Sequence, residues 1–128
     1  MQLVVKVVTW CAAVLVSLMI ASVVFIEGWE LPALRGASEI LTRHKPLVLC
    51  EFNPFCLREQ GGIDPSEFAD FVFATTGAVE LVEQDGSRTT VSAASKLLEL
   101  WSERDAYHSD RGDVAHGGLH FDLLFRPS

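Results

Sequence analysis

An uncharged apolar segment at the start of the chain restricts what this protein can fold into more than any other feature. Residues Val7 to Ile26 contain no charged side chain, and a helix of about 20 residues spans the ~30 Å hydrocarbon core of a bilayer. We expect residues 1–26 to form one transmembrane helix. A cleaved signal peptide fits less well, because Lys6 is the only charge before the segment and no convincing small-residue cleavage site precedes Glu27.

The end of this segment leaves a second interpretation open. Ser22–Ile26 is rich in β-branched side chains, which on their own are typical of a buried strand. For a spanning helix, the flanking charges predict an orientation, because Arg35, Arg43 and Lys45 follow the segment and only Lys6 precedes it. We therefore predict a single-pass membrane protein whose C-terminal part is cytoplasmic.

The charge balance and the cysteines restrict the partners of the rest of the chain. The formal net charge is −7, which repels the phosphate backbone of nucleic acids, so we expect no nucleic-acid partner. Cys50 and Cys56 are the two cysteines after the apolar segment, and they stand too far apart for a CxxC redox or zinc pair. We expect both to be reduced thiols, as in a cytosolic domain.

Residues 27–128 alternate between helical and strand-like patterns, which predicts an α/β domain. Apolar residues at three- and four-residue steps predict helices, and short apolar or alternating runs predict strands. Asp64-Pro65 and Ser92 are typical of helix starts, and Asp85-Gly86 predicts a hairpin turn. The predicted elements are a helix over 31–44, a strand over 47–52 of the buried parallel type, a loop through 53–62, a helix over 65–75, a strand over 78–83 followed by a hairpin, a helix over 92–104 and a last strand over 119–125.

Histidine and aspartate are concentrated in the loop before the last strand. His108, His116 and His120 lie there together with Asp110 and Asp113. A divalent metal site is one interpretation, but the spacing matches no ligand pattern and the glycines give the loop no preset geometry. We expect a solvated loop and no bound metal.

Three segments, taken in order, resemble the C-terminal half of FkbM-type methyltransferases. They are Glu27-Gly28-Trp29-Glu30-Leu31-Pro32-Ala33-Leu34-Arg35-Gly36-Ala37, Arg43-His44-Lys45-Pro46 and Glu51-Phe52-Asn53-Pro54. That family carries a strand ending in an I-D-V-E-G-x-E motif, a helix with L-x-G-A, a basic-proline step into the next strand, and a glutamate that closes it. The resemblance covers residues 25–128 and includes the closing segment Asp122–Pro127.

The resemblance implies an α/β fold over residues 27–128, the C-terminal half of a Rossmann-like methyltransferase sheet with flanking helices. It also implies methyl transfer from S-adenosylmethionine to an oxygen of a small-molecule, sugar or lipid-linked acceptor. Such a transfer needs a positioned acceptor and often a base, and open α/β sheets supply these groups from strand ends. Glu27 and Glu51 are the candidate catalytic residues, and Glu30 and Asn53 are the candidate substrate-binding residues.

Two departures from the family pattern limit the expected activity. Phe25 stands at the place of the family's strand-end aspartate, and the glycine-rich turn and the ribose-binding acid of the cofactor site have no counterpart in the sequence. Cofactor-binding residues are therefore unassigned, and we expect the chain alone to be an inactive fragment.

A second interpretation is a membrane-anchored interaction module without catalysis. Half of a Rossmann-like sheet has an open strand edge, and such an edge invites pairing with a partner chain or with a second copy.

Overall fold

The computed structural model of the protein describes residues 27–128. The predicted transmembrane helix over 1–26 and the alternative strand at Ser22–Ile26 lie outside the described residues. In the part of the chain that is described, no helix is both long and apolar enough to cross a bilayer. This part consists of a four-stranded antiparallel sheet and five helices, so the mixed α/β class is confirmed.

The helices and strands follow one another closely along the chain. In chain order they are α1 (Glu30–Gly36), α2 (Ser38–His44), β1 (Val48–Phe52), α3 (Pro54–Glu59), α4 (Pro65–Thr76), β2 (Val79–Val82), β3 (Arg88–Val91), α5 (Ala94–Asp110) and β4 (Phe121–Phe125).

The ends of α4 show how the local sequence sets an element. Asp64 Oδ1 accepts a hydrogen bond from the backbone N–H of Ser66 at 2.8 Å, and Pro65 occupies the first helical turn, where its missing N–H removes no helical hydrogen bond. Gly77 ends the helix at φ +73°, in the left-handed conformation that glycine adopts without strain. The start predicted from Asp64-Pro65 is confirmed, and the helix ends one residue after the predicted end at position 75.

The strands lie in the order β1-β4-β2-β3, and each neighbouring pair is antiparallel. Phe52 at the end of β1 pairs with Phe121 at the start of β4, and Val82 at the end of β2 pairs with Asp122. The strands β1 and β2 therefore run in the same direction, with β4 reversed between them. Their carboxyl ends meet the amino end of β4 at one end of the sheet.

The core lies between one face of the sheet and the helices. Alternate strand residues point into it, because successive side chains of a strand face opposite sides. Phe52 stacks on Phe68 of α4 with ring centroids 5.4 Å apart. The strand and helix residues of the core are Val48, Cys50, Phe52, Val79, Leu81, Val91, Phe121, Leu123 and Phe125, with Leu31, Leu34, Leu41, Leu57, Phe68, Ala69, Val72 and Leu97.

The opposite face of the sheet is not covered to the same extent. Leu49 on β1 is 43% exposed, and its cross-strand neighbour Leu124 is half-buried. The strand β1 is also an edge strand of the described sheet. The prediction of a buried parallel strand over 47–52 is therefore wrong in two respects within this part: β1 pairs antiparallel with β4, and one of its faces is exposed.

The predicted helix over 31–44 is interrupted at Ala37, which separates α1 from α2. Ala37 has φ −90° and ψ 6°, and the hydroxyl of Ser38 donates to the carbonyl oxygen of Arg35. Such a bond from serine to a preceding carbonyl competes with the helical pattern and bends helices.

Two further elements differ from their predicted extents. The predicted loop over 53–62 contains the short helix α3, which is too short for apolar periodicity to reveal. The helix α5 starts after Ala93, which makes no side-chain cap, and not after Ser92. It also continues to Asp110, six residues beyond the predicted end at Arg104.

Candidate functional site

Glu30 is the first residue of α1, and its side chain is buried, with 2% of the residue exposed. Its Oε2 atom has no hydrogen-bond partner within the described structure. Burial raises the pKa of Glu30, the charges of Glu51 and Glu27 raise it further, and the backbone N–H groups of Glu30 and Gly28 act in the opposite direction. An unsatisfied buried acceptor costs about 1–3 kcal/mol, so this atom calls for a functional explanation.

Gly28 places Glu27 and Glu30 beside the end of β1. Its φ of +80° and its surroundings both require glycine, because a Cβ here would lie 2.5 Å from the carbonyl oxygen of Cys56 and 2.9 Å from Gln60 Cβ. Cys56 and Gln60 belong to and follow α3, the helix that begins directly after β1. The turn at residues 27–29 is thereby packed against the segment that leaves the sheet.

Glu51 and Asp122 bring two more carboxylates to the same end of the sheet. They are direct cross-strand partners on β1 and β4, and side chains in such pairs lie about 4.5–5.5 Å apart at Cβ. Burial raises the pKa of Glu51, the charges of Glu27 and Asp122 raise it further, and the nearby His120 lowers it. Glu27, Glu30, Glu51 and Asp122 thus interact electrostatically, and we call these four residues the acidic cluster.

His120 is the one basic side chain among the groups that act on the pKa of Glu30 or Glu51 in the described structure. The residue is exposed and directly precedes β4. The arginine and lysine ion pairs that the structure describes involve other acids, namely Glu67, Glu39, Glu80, Glu99, Glu83 and Asp113. The acidic cluster therefore has an excess of negative charge.

Asp105 holds the loop that precedes His120 and Asp122 in the chain. This aspartate of α5 is 1% exposed, and its carboxylate accepts hydrogen bonds from the backbone N–H of Gly117 at 2.8 Å and of Leu119 at 3.1 Å. A buried carboxylate with two backbone donors is a structural arrangement. It holds the chain immediately before β4 and so sets the start of that strand.

Asn53 lies at the end of β1 but serves first as a helix cap. Its Oδ1 accepts hydrogen bonds from the backbone N–H of Phe55 at 3.1 Å and of Cys56 at 3.2 Å. The side-chain oxygen is therefore occupied by the start of α3. The predicted substrate-binding role of Asn53 rests on its amide NH₂ group alone.

The two cysteines of residues 27–128 are free and buried. Burial raises the pKa of Cys50, and the charges of Glu30, Asp122 and Glu51 raise it further. The pKa of Cys56 is raised as well, chiefly by desolvation. Because the thiolate is the reactive form, neither residue has the environment of a nucleophile.

The histidines of the late loop do not converge on one point. His108 Nδ1 lies 3.1 Å from Asp113 Oδ2, and His116 Nδ1 lies 3.3 Å from Asp105 Oδ2, whereas His120 acts on the pKa of Glu51. No group of three histidine, cysteine or acidic side chains suited to a metal ion occurs among residues 27–128.

The acidic cluster borders an open groove at the end of the sheet. The groove has a volume of about 830 Å³, and its wall includes His120, Asp122, Glu83 and Arg104. Carboxyl ends of strands are where open α/β sheets place their ligands. The arrangement can accept hydrogen bonds, neutralise a cation and take up a proton, because carboxyls with raised pKa values act as bases nearer neutral pH.

The structure brings together three of the four residues that the sequence singles out. Glu27, Glu30 and Glu51 interact with one another, although more than twenty positions separate the first from the last. Asp122 and His120 were not among the residues predicted for this site. The alternation in Phe121–Phe125 places Asp122 on the face away from the core, but the strand pairing that sets it against Glu51 is a long-range property.

A scan against protein-family models finds no match to this chain, and searches of curated proteins and of solved structures find none either.

Proposed function

We propose that residues 27–128 form the acceptor-binding half of a methyltransferase that uses S-adenosylmethionine and methylates an oxygen of a small-molecule, sugar or lipid-linked acceptor. One observation carries the proposal: the Glu27–Glu30 segment and the Glu51–Pro54 segment, which carry the resemblance to FkbM-type methyltransferases, meet at one end of the sheet.

The direction of the strands supports this proposal. The strands β1 and β2 run the same way and are joined through α3 and α4. A strand–helix–strand connection between strands of the same direction is the unit from which Rossmann-like sheets are built. The finer assignment to a Rossmann-like methyltransferase rests on this connection together with the sequence resemblance.

In this proposal Glu51 is the base and Glu30 positions the acceptor. The proton of the acceptor hydroxyl passes to a Glu51 oxygen, which leaves the acceptor oxygen able to attack a methyl group. Glu30 Oε2, which is unpartnered in the described structure, accepts a hydrogen bond from a second polar group of the acceptor. Glu27, exposed at the turn, contributes negative charge that favours protonation of Glu51.

Residues 27–128 do not fit the adenosyl group of the methyl donor. The family holds it with a glycine-rich turn after a strand and with an acid for the ribose hydroxyls, and the strands β1 to β4 are followed by neither. We infer that residues 27–128 do not catalyse methyl transfer by themselves. The donor half of the site would have to come from other residues.

A chimera tests this function directly. Residues 1–22 are replaced by the N-terminal half of an FkbM-type methyltransferase, including its glycine-rich turn. We expect the chimera to bind S-adenosylmethionine in calorimetry and to transfer a radiolabelled methyl group to a member of a polyol and sugar panel. Glu51→Gln should lower the rate by about 10²–10⁴-fold, as expected for loss of a general base.

The matched control is Glu59→Gln, which removes an exposed acid from α3. A chimera that binds the donor but transfers no methyl group, or a Glu51→Gln variant as fast as the Glu59→Gln variant, would contradict the proposal. Micromolar donor binding by the unmodified chain would contradict the inference that the donor half is lacking.

A membrane-anchored interaction module is the second candidate, and the outer edge of β1 favours it. Leu47 before the strand is 54% exposed and Leu49 within it is 43% exposed, and exposed strand edges with apolar side chains promote pairing between chains. We propose that in this case β1 pairs with a partner chain or a second copy. Light scattering on the full chain in detergent tests it: a monomer at all concentrations counts against a second copy.

A further inference from the structure

The two edges of the described sheet differ in character. The strand β3 lies at one edge, and the first three residues of its sequence Arg88-Thr89-Thr90-Val91 are polar and exposed. Short, polar edge strands are typical of an edge that faces solvent. The strand β1 lies at the other edge, where Leu49 and the preceding Leu47 are exposed and Glu51 is the one charged residue of the strand. The edge of β1 is therefore more apolar than a solvent-facing edge.

The edge of β1 is also regular enough to accept another strand. Its residues pair with β4 without a bulge, from Val48 opposite Phe125 to Phe52 opposite Phe121. Alternate residues of a strand direct their N–H and C=O groups to opposite sides, so a row of these groups faces away from β4. No strand of residues 27–128 pairs with this row. An edge without a bulge or a proline is open to the addition of a strand.

The chain reaches Glu27 beside the carboxyl end of β1. A Cβ on Gly28 would lie 2.5 Å from the carbonyl oxygen of Cys56, and a Cβ on Gly61 would collide with the carbonyl oxygen of Gly28. Cys56 belongs to α3, which begins at Pro54, two residues after the end of β1. These close approaches fix the backbone at Gly28 against the segment that leaves the sheet.

This position determines the direction of any strand that comes directly before Glu27. Such a strand ends at the carboxyl end of β1, so it can pair with β1 only in the parallel direction. Parallel neighbours need a connection of a dozen or more residues, which is usually helical. Residues 27–47 contain α1 and α2, and both helices bury leucines in the core. The described structure therefore contains a suitable connection.

The segment before Glu27 has the composition of such a strand. Ser22-Val23-Val24-Phe25-Ile26 contains no charge, proline or glycine, and β-branched and aromatic residues favour strands. Its short link to Gly28 gives an effective concentration on the order of millimolar at the edge, whereas a separate chain has to bind from solution. The edge therefore favours this segment over a partner chain or a second copy.

We propose that Ser22–Ile26 adds to the free edge of β1 as a parallel strand, so that the apolar edge is an internal surface of this protein. The pairing leaves Val7–Ala21, which is shorter than the about 20 residues that span a bilayer. A strand at 22–26 and a spanning helix over 7–26 therefore exclude each other. The pairing does not depend on methyl transfer.

Backbone NMR on the full chain in detergent micelles tests the proposal. We expect strand-type Cα and Cβ chemical shifts at residues 22–26, together with NOEs between their backbone amides and β1. Helical shifts through residue 26, or strand-type shifts without NOEs to β1, would overturn the proposal. A sample mixed from isotope-labelled and unlabelled chains identifies the source of the NOEs. NOEs that arise only between chains would show that a second copy covers the edge, and they would overturn the proposal as well.

Proline substitutions supply a second readout. Proline has no N–H, and one of two consecutive strand residues directs its N–H towards β1. At least one of Val23→Pro and Val24→Pro should therefore speed hydrogen exchange by about tenfold or more at the β1 amides that are not bonded to β4. The matched control is Val14→Pro, outside the proposed strand, which should leave exchange in β1 unchanged.

Unchanged exchange in β1 for both Val23→Pro and Val24→Pro would contradict the pairing, and so would an equal acceleration by Val14→Pro. If the proline variants do not fold, the chemical shifts and NOEs of the unmodified chain decide the outcome. Neither measurement uses a methyl donor, so an inactive chimera leaves this inference standing, and an active chimera does not rescue it.

Discussion

Asp105→Ala should destabilise the protein strongly, although Asp105 lies outside the acidic cluster. The carboxylate is 1% exposed and accepts hydrogen bonds from the backbone N–H groups of Gly117 and Leu119 at 2.8 and 3.1 Å. Alanine leaves both donors without their partner. A hydrogen bond to a charged group contributes about 1.5–3 kcal/mol, so the expected loss is about 3–5 kcal/mol.

That loss is a large part of the total stability of a domain of this size, which is about 5–15 kcal/mol. Asp105→Asn keeps one carbonyl acceptor but turns an NH₂ group towards a backbone donor, and we expect a loss of about 1.5–3 kcal/mol. The matched control is Asp110→Asn at the exposed end of the same helix. It should change the stability by no more than about 0.5 kcal/mol.

Urea unfolding gives the free energies, and hydrogen exchange at Gly117 and Leu119 gives the location. Trp101 is a useful fluorescent probe, because its Nε1 donates to the carbonyl oxygen of Leu119 at 2.7 Å. If Asp105→Ala is as stable as Asp110→Asn, or if exchange at the two amides is unchanged, then Asp105 does not hold this loop.

Three further predictions follow from single residues. Gly28→Ala should destabilise the protein by more than about 2 kcal/mol, because a Cβ would lie 2.5 Å from a carbonyl oxygen. Gly77→Ala, at φ +73° with no atom within 4 Å of the added Cβ, should cost only about 1 kcal/mol from backbone strain. Equal urea midpoints for the two variants would contradict this prediction. The raised pKa of Glu30 means that the folded state holds its proton more tightly, so stability should fall as the pH rises from the ordinary value of 4.5 through the raised folded value. Glu30→Gln should reduce that fall in urea midpoints, and an unchanged pH profile would show that the carboxyl ionises freely. Leu49 is 43% exposed, so Leu49→Glu should leave the free energy of unfolding within about 1 kcal/mol of wild type. The same substitution should reduce any concentration-dependent association seen by light scattering. A large loss of stability would show that this face of the sheet is packed.

The elements with explicit start and stop residues could be predicted from the sequence. Asp64-Pro65 and Gly77 define α4 through local hydrogen bonds and a left-handed residue, and Asp85-Gly86 defines the hairpin between β2 and β3. In contrast, α3 depends on the cap by Asn53, in a segment without helical periodicity. The break at Ala37 accompanies a local hydrogen bond of the Ser38 hydroxyl and does not change the spacing of the apolar residues.

The pairing of the strands could not be predicted from the sequence, and this pairing determines which residues lie together at the site. The apolar run at 47–52 is compatible with a buried parallel strand, whereas β1 lies at an edge and pairs antiparallel with the last strand. That pairing sets Asp122 against Glu51, and no spacing in the sequence encodes it. Glu27, Glu30 and Glu51 could be found early because the resemblance marked them, but the burial and the unpartnered oxygen of Glu30 are visible only in three dimensions.

A carboxyl titration by ¹³C NMR tests most directly whether the four acids form one site. We expect Glu30 and Glu51 to titrate above the ordinary carboxyl range. We also expect Asp122→Asn to lower the pKa of Glu51 and Glu51→Gln to lower the pKa of Glu30, because each removes a neighbouring negative charge. If Glu30 and Glu51 titrate at ordinary values and neither responds to loss of its neighbour, the acids are independent surface charges and the acidic cluster is not a site.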